Sequence, residues 1–148
     1  MLNRLTDVFA SFRHHRVKYV VIGGIAAVLH GVPRATFDLD ILIEASRANA
    51  ENLLDALSEA GLATASLTSA EEVLENETTV FQDRVRIDVQ TRMPGLLFET
   101  AWERKIEMEY RRQSFYVVSR EDLISSKRAA GRDVDLEDAR LLELPEES

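Results

Sequence analysis

Leu2, Leu5, Val8, Phe9 and Phe12 recur at helical spacing, which predicts an amphipathic helix over residues 2–14. Tyr19-Val20-Val21-Ile22 is apolar without alternation, the pattern of a short strand covered on both faces. It runs into Gly23-Gly24, after which 25–30 reads as a short helix closed by Gly31 and Pro33. Alternation takes over in the next strand, 38–44. There Leu39, Ile41 and Ile43 share one face, and Asp38, Asp40, Leu42 and Glu44 share the other. Ser46 is placed to cap a helix whose apolar stripe is Ala50, Leu53, Leu54, Leu57 and Ala60, with Gly61 as its stop. Ser69 and Glu72 have the spacing of a capping box for a further short helix.

Two strands follow, 78–82 and 85–90, around a tight turn at Asp83-Arg84. In the second, Val85, Ile87 and Val89 face one way while Arg86 and Asp88 face the other. Residues 96–104 read as helix. Ile106, Met108 and Tyr110, then 115–118, read as a hairpin turned at 111–113. Ser119 with Asp122 caps a helix running to about Ala130 and ended by Gly131. A last helix starts near Asp135, and 145–148 is expected to be a loose tail. The order α-β-α-β-α-(α)-β-β-α-β-β-α-α is α/β of the α+β kind: a mixed sheet packed with helices. It has too few regular βαβ units for a doubly wound dinucleotide-binding sheet.

With 148 residues and no cysteine, the chain is expected to form one domain with no disulfide framework and no thiolate site. Eighteen Lys and Arg against 26 Asp and Glu leave a net charge of −8, which argues against sequence-independent coating of DNA or an anionic membrane surface. The first sixteen residues carry charges throughout and lack the apolar core of a signal peptide. The longest apolar run, near residues 19–28, is too short to span a bilayer, so a cytoplasmic location is expected.

Candidate chemistry concentrates in 19–44. A buried strand delivers Gly23-Gly24 to a helix start, where backbone N–H groups approach an anion without a Cβ in the way. Asp38 follows fourteen residues after Gly24, with Asp40 on the same strand face. Two such carboxylates repel unless a cation lies between them. Oxygen donors of this kind suit Mg²⁺, which takes part of its shell from substrate phosphates. Asp88, on the polar face of another strand, would complete a two-metal set. Each feature alone has a plainer reading: a turn for the glycines, a solvated face for Asp38 and Asp40, and a salt bridge to Arg86 for Asp88. Asp is depleted in strands, which gives weight to acids placed in two of them.

The motifs VIGG (21–24), FDLDI (37–41) and RIDV (86–89) make the chain resemble the nucleotidyltransferase superfamily that shares a palm-like core with DNA polymerase β. Arg34-Ala35-Thr36-Phe37-Asp38-Leu39-Asp40 resembles the R-x-T-x-D-x-D signature of a small bacterial branch around abortive-infection nucleotidyltransferase toxins. The stretch from Glu121 to Lys127, with Arg132, Asp135 and Asp138, resembles that branch's C-terminal part. The resemblance covers most of the chain, and it leaves little room for the acceptor-binding domain that many relatives carry.

The resemblance implies a nucleotidyltransferase-like fold and a Mg²⁺-dependent transfer of a nucleoside monophosphate from an NTP to a hydroxyl on tRNA, protein or a small molecule. It implies that Gly23 and Gly24 cradle the triphosphate. Asp38, Asp40 and Asp88 bind two metal ions, and Asp88 also serves as proton acceptor. Arg34 and Thr36 touch phosphate or orient Asp38; otherwise they form a loop salt bridge and a cap. Lys127 reaches a phosphate or the acceptor; otherwise it is solvated. The rival readings are a nucleotide- or partner-binding module without turnover, antitoxin-like or regulatory, and a phosphodiesterase using the same acids. The basic cluster around His14 and His15 reads as a solvated helix end, His30 as helix-end structure and Trp102 as core.

Overall fold

The computed structural model describes residues 2–145. After a turn of 3₁₀ helix at Leu2–Arg4, the elements are α1 (Thr6–His14), β1 (Tyr19–Ile22), α2 (Gly23–Leu29), β2 (Leu39–Ile43), α3 (Arg47–Glu59), α4 (Ala70–Glu75), β3 (Thr78–Gln82), β4 (Arg86–Gln90), α5 (Phe98–Arg104), β5 (Ile106–Tyr110), β6 (Gln113–Val117), α6 (Arg120–Ala130) and α7 (Asp133–Leu142). The strands form one mixed sheet in the order β3-β4-β2-β1-β6-β5. β1 runs antiparallel to β2 and parallel to β6. β2 runs parallel to β4, and the outer pairs β3/β4 and β5/β6 are hairpins. The architecture is the expected mixed α/β one.

β1 is central, and all four of its residues are buried, as an unalternating apolar run requires. Phe115 stacks on Phe9 of α1 with ring centroids 4.5 Å apart, while the next residue, Tyr116, meets Trp102 of α5 at 5.3 Å. Successive strand residues point to opposite faces, so α1 and α5 cover opposite sides of the sheet. Trp102 is thus packed against the core as expected, though it keeps partial exposure.

The predicted caps form. Ser46, Ser69 and Ser119 accept from the backbone N–H groups of Asn49, Glu72 and Asp122. Gly131 takes the left-handed conformation that ends α6. Several boundaries shift by one to a few residues from the sequence expectation, and two of them have a clear local cause. α2 starts at Gly23 rather than Ile25, because Gly23 turns the chain at φ +70 directly out of β1. α7 starts at Asp133 rather than Asp135, its first turn carrying both aspartates. Of the expected loose tail, 146–148 lies outside the described residues.

Asn49 contributes a link that no periodicity signals. It is buried, accepts from the Lys18 backbone N–H at 2.8 Å and donates to the carbonyls of Lys18 and Glu44 at 3.0 and 2.9 Å. It therefore ties the start of β1 to the end of β2, holding in register the two strands that carry the glycines and the acids.

Candidate active site

Strand pairing brings the acids together. In the parallel β2/β4 ladder Asp40 stands opposite Asp88, and on its other side Asp40 pairs with Ile22, the residue before the glycines. Asp38 lies one residue ahead of β2 rather than inside it, with its side chain about half exposed. Arg86 fills the space between the two outer acids. Its Nε and Nη2 donate to the two oxygens of Asp88 at 2.9 and 3.3 Å, and Nε lies 3.9 Å from Asp38. The sequence's salt-bridge reading of Asp88 is therefore realised.

Among the described residues no cation makes a salt bridge to Asp40, which feels Arg86 only at longer range. Burial, followed by the charges of Asp88 and Asp38, pushes its carboxyl up from the ordinary carboxylate range to about 7. A half-buried acid flanked by two others is a donor set that a hard divalent cation fits, since the ion offsets both the lost hydration and the repulsion that raise the pKa. Gly23 packs directly on this carboxylate. A Cβ built there would come within 2.9 Å of Asp40 Cβ, on a backbone with φ +70. At Gly24 a Cβ would meet Thr36 Oγ1 at 3.0 Å, so Thr36 seats the second glycine from the loop before the acids. Gly23→Ala is expected to lower stability by about 1–3 kcal/mol through left-handed strain and the clash with Asp40. Thermal unfolding checks this; a melting temperature within 1 °C of wild type would show that the glycine is not required.

Beside the glycines opens a cleft of about 220 Å³, lined among others by Gly23, Gly24, Arg34, Asp40, Lys127 and Arg132. Five sequence-predicted site residues thus share one cavity wall. Asp38 instead faces a neighbouring hollow with Phe37 and Arg86. The cations of the cleft are anchored on α7. Asp138, fully buried, has Arg34 Nη2 at 2.7 Å and Lys127 Nζ at 2.9 Å, although no hydrogen bond of good geometry reaches its oxygens. Asp135 takes Arg132 Nε at 2.6 Å and has Lys127 Nζ at 3.7 Å. The alternative of a solvated Lys127 is corrected: the ammonium is buried because two carboxylates compensate it. Arg34 likewise makes a salt bridge, but to a helix 104 positions away rather than within its own loop.

This network joins the two stretches that carried the resemblance, and the chain matches over residues 3–146 a family described as "Nucleotidyltransferase of unknown function (DUF6036)". The chain belongs to this family. No curated protein matches it. Family membership places the chain among nucleotidyltransferases; the acids, glycines and cleft are the features of this member that bear on such chemistry.

Arg132 was absent from the predicted site. Its signal lay in the spacing Arg132–Asp135, which at three residues pairs across one helical turn. His30 is structural as expected, its Nε2 2.8 Å from the Val118 carbonyl. Among the described residues no helix is long and apolar enough to cross a membrane.

Proposed function

We propose that the chain transfers a nucleoside monophosphate from an NTP to an acceptor hydroxyl on RNA, protein or a small molecule, with release of pyrophosphate. The observation that carries this reading is Asp40: a half-buried carboxyl between two others, pressed against a glycine pair at the mouth of a cation-lined cleft. Asp38, Asp40 and Asp88 are the residues that would hold Mg²⁺, which when bound neutralises phosphate charge and lowers the pKa of a coordinated hydroxyl.

The chain's own residues account for the rest. Gly23 and Gly24 let the backbone approach the triphosphate closely. Arg34, Lys127 and Arg132 offset its negative charge from the cleft wall. In the transfer the acceptor oxygen bonds to the α-phosphorus and the bond to the pyrophosphate oxygen breaks. The acceptor proton passes to Asp88 once Arg86 turns from it. Catalysis of this kind rests on positioning and preorganised charge.

Thermal unfolding with each of the four NTPs, with and without Mg²⁺, tests the reading. A nucleotide at about 100 times its Kd adds about 2.7 kcal/mol, a rise on the order of 5–10 °C for a chain of this size. The expected rise requires Mg²⁺ and disappears in Asp40→Ala. No rise with any NTP would overturn the reading.

The two-point hold of Arg86 on Asp88 favours a second reading, a module that binds nucleotide or a partner without turnover. A Mg²⁺-dependent thermal rise with no pyrophosphate released on any acceptor would select it.

A further inference from the structure

The tightest group of metal-ligating side chains among the described residues lies away from the cleft. His14, His15 and Glu59 offer ligand atoms that all fall within 4.8 Å of one another. His14 Nδ1 is 3.0 Å from Glu59, and His15 Nε2 is 2.6 Å from it. Consecutive residues on a helix normally point about 100° apart and do not converge on one group. Here they do. His14 is the last residue of α1 and His15 its cap, and the chain then turns through Arg16 at φ +54.

Glu59, the last residue of α3, is itself oriented. The hydroxyl of Ser11, a buried residue, lies 3.0 Å from Glu59 Oε2 and 2.5 Å from the Ala56 carbonyl. The single hydroxyl proton is shared between these two acceptors, so Ser11 steers the carboxylate as outer hydrogen bonds steer metal-binding carboxylates, though the nearer carbonyl takes the larger share. Two imidazoles and one carboxylate form a donor set for Zn²⁺ or a related late first-row cation, not for Mg²⁺. Around a tetrahedral Zn²⁺ with bonds of about 2.0–2.1 Å, neighbouring donors stand about 3.3 Å apart. The two separations from Glu59, 3.0 and 2.6 Å, lie within an ångström of that value, and all three ligand atoms fall within 4.8 Å of one another. His14 and Glu59 are exposed, so the remaining coordination position faces solvent.

We propose that His14, His15 and Glu59 form a transition-metal site that clips the end of α1 to the end of α3, distinct from the aspartate site. The ligands are 44 residues apart in sequence, so the ion binds the folded chain in preference to the unfolded one and stabilises it.

Titration with Co²⁺, in excess Mg²⁺ to occupy carboxylate-only sites, tests the proposal through the visible absorption of a nitrogen- and oxygen-ligated Co²⁺. Wild type is expected to bind one equivalent, displaceable by Zn²⁺, with a rise in melting temperature. His15→Ala and Glu59→Gln should each weaken binding by about tenfold or more. Glu59 is exposed and His15 about three-quarters covered, and melting curves without metal verify the folding of both variants. Asp40→Asn should leave Co²⁺ affinity unchanged. The proposal is overturned if no absorption band appears, if both histidine-site variants bind as wild type does, or if Asp40→Asn abolishes binding instead.

Discussion

Asp40→Asn is expected to abolish nucleotidyl transfer and, in the same protein, to raise the melting temperature at pH 8 without metal. The activity loss should be at least about 10²–10³-fold, the size seen when one preorganised electrostatic group is removed from a reaction centre. The stability gain follows from the folded-state pKa of about 7 against the ordinary aspartate value of about 4. Below pH 4 the carboxyl is protonated in both states and contributes no difference. Between pH 4 and 7 the unfolded chain releases its proton while the folded chain keeps it, so stability falls as pH rises; above 7 the full penalty remains. A shift of about three pKa units corresponds to about 4 kcal/mol at most. Partial solvent access reduces this to about 2–3 kcal/mol, or on the order of 5–10 °C.

The variant should therefore outmelt wild type at pH 8 and lose that advantage by pH 4–5. Mg²⁺ should reverse the order at pH 8 by stabilising only the wild type. Melting curves at the two pH values decide it. An equal difference at both would mean that Asp40 carries no raised pKa, and full transfer activity in the variant would remove Asp40 from the mechanism. Loss of function with gain of stability is the signature of a site held under electrostatic strain.

Lys127→Met should unfold at markedly lower denaturant. It leaves Asp138, which is fully buried, and Asp135 without the ammonium that faces both. Removing one partner of a buried pair costs about 3–5 kcal/mol. The lower end, about 3 kcal/mol, applies here because Arg34 and Arg132 remain to share the charge. Adding Asp138→Asn should recover part of that loss: it removes the buried charge nearest the lost ammonium, while Arg34, about one-third exposed, gives up its partner. Nucleotide affinity should not recover with it, because the cleft still lacks the Lys127 ammonium and keeps only Arg34 and Arg132 as its cations. Urea unfolding and NTP binding on the single and double variants separate the two roles. Recovery of both would make Lys127 purely structural, and an unchanged midpoint in the single variant would show that the buried pair contributes nothing.

Most of what was legible in the sequence was local. The three serine caps, the left-handed stop at Gly131 and the apolar stripe of α3 depend on residues within one or two helical turns, and each formed as read. The alternation of β4 likewise translated directly into buried Ile87 and Val89 beside partly exposed Arg86 and Asp88. What escaped was non-local. Asn49 looks like an ordinary first-turn residue, yet it is a buried bridge between strands. His14 and His15 read as a solvated helix end, and His14 is indeed exposed, but their meeting with Glu59 from α3 left no local signal. Asp38 alternates with its strand in sequence, but the strand's pairing begins one residue later, and that leaves it half exposed.

The sequence by itself determined the elements, their caps and the identity of the acids and glycines, because periodicity, capping and residue chemistry act over a few residues. Only the tertiary structure decided that β4 lies beside β2, so that Asp88 stands next to Asp40, and that Arg34 and Lys127 converge on Asp138. Strand order and buried ion pairing are settled by the summed packing of distant segments, which no local pattern encodes. The raised pKa of Asp40 belongs to the same class: it exists only where burial and two neighbouring charges coincide.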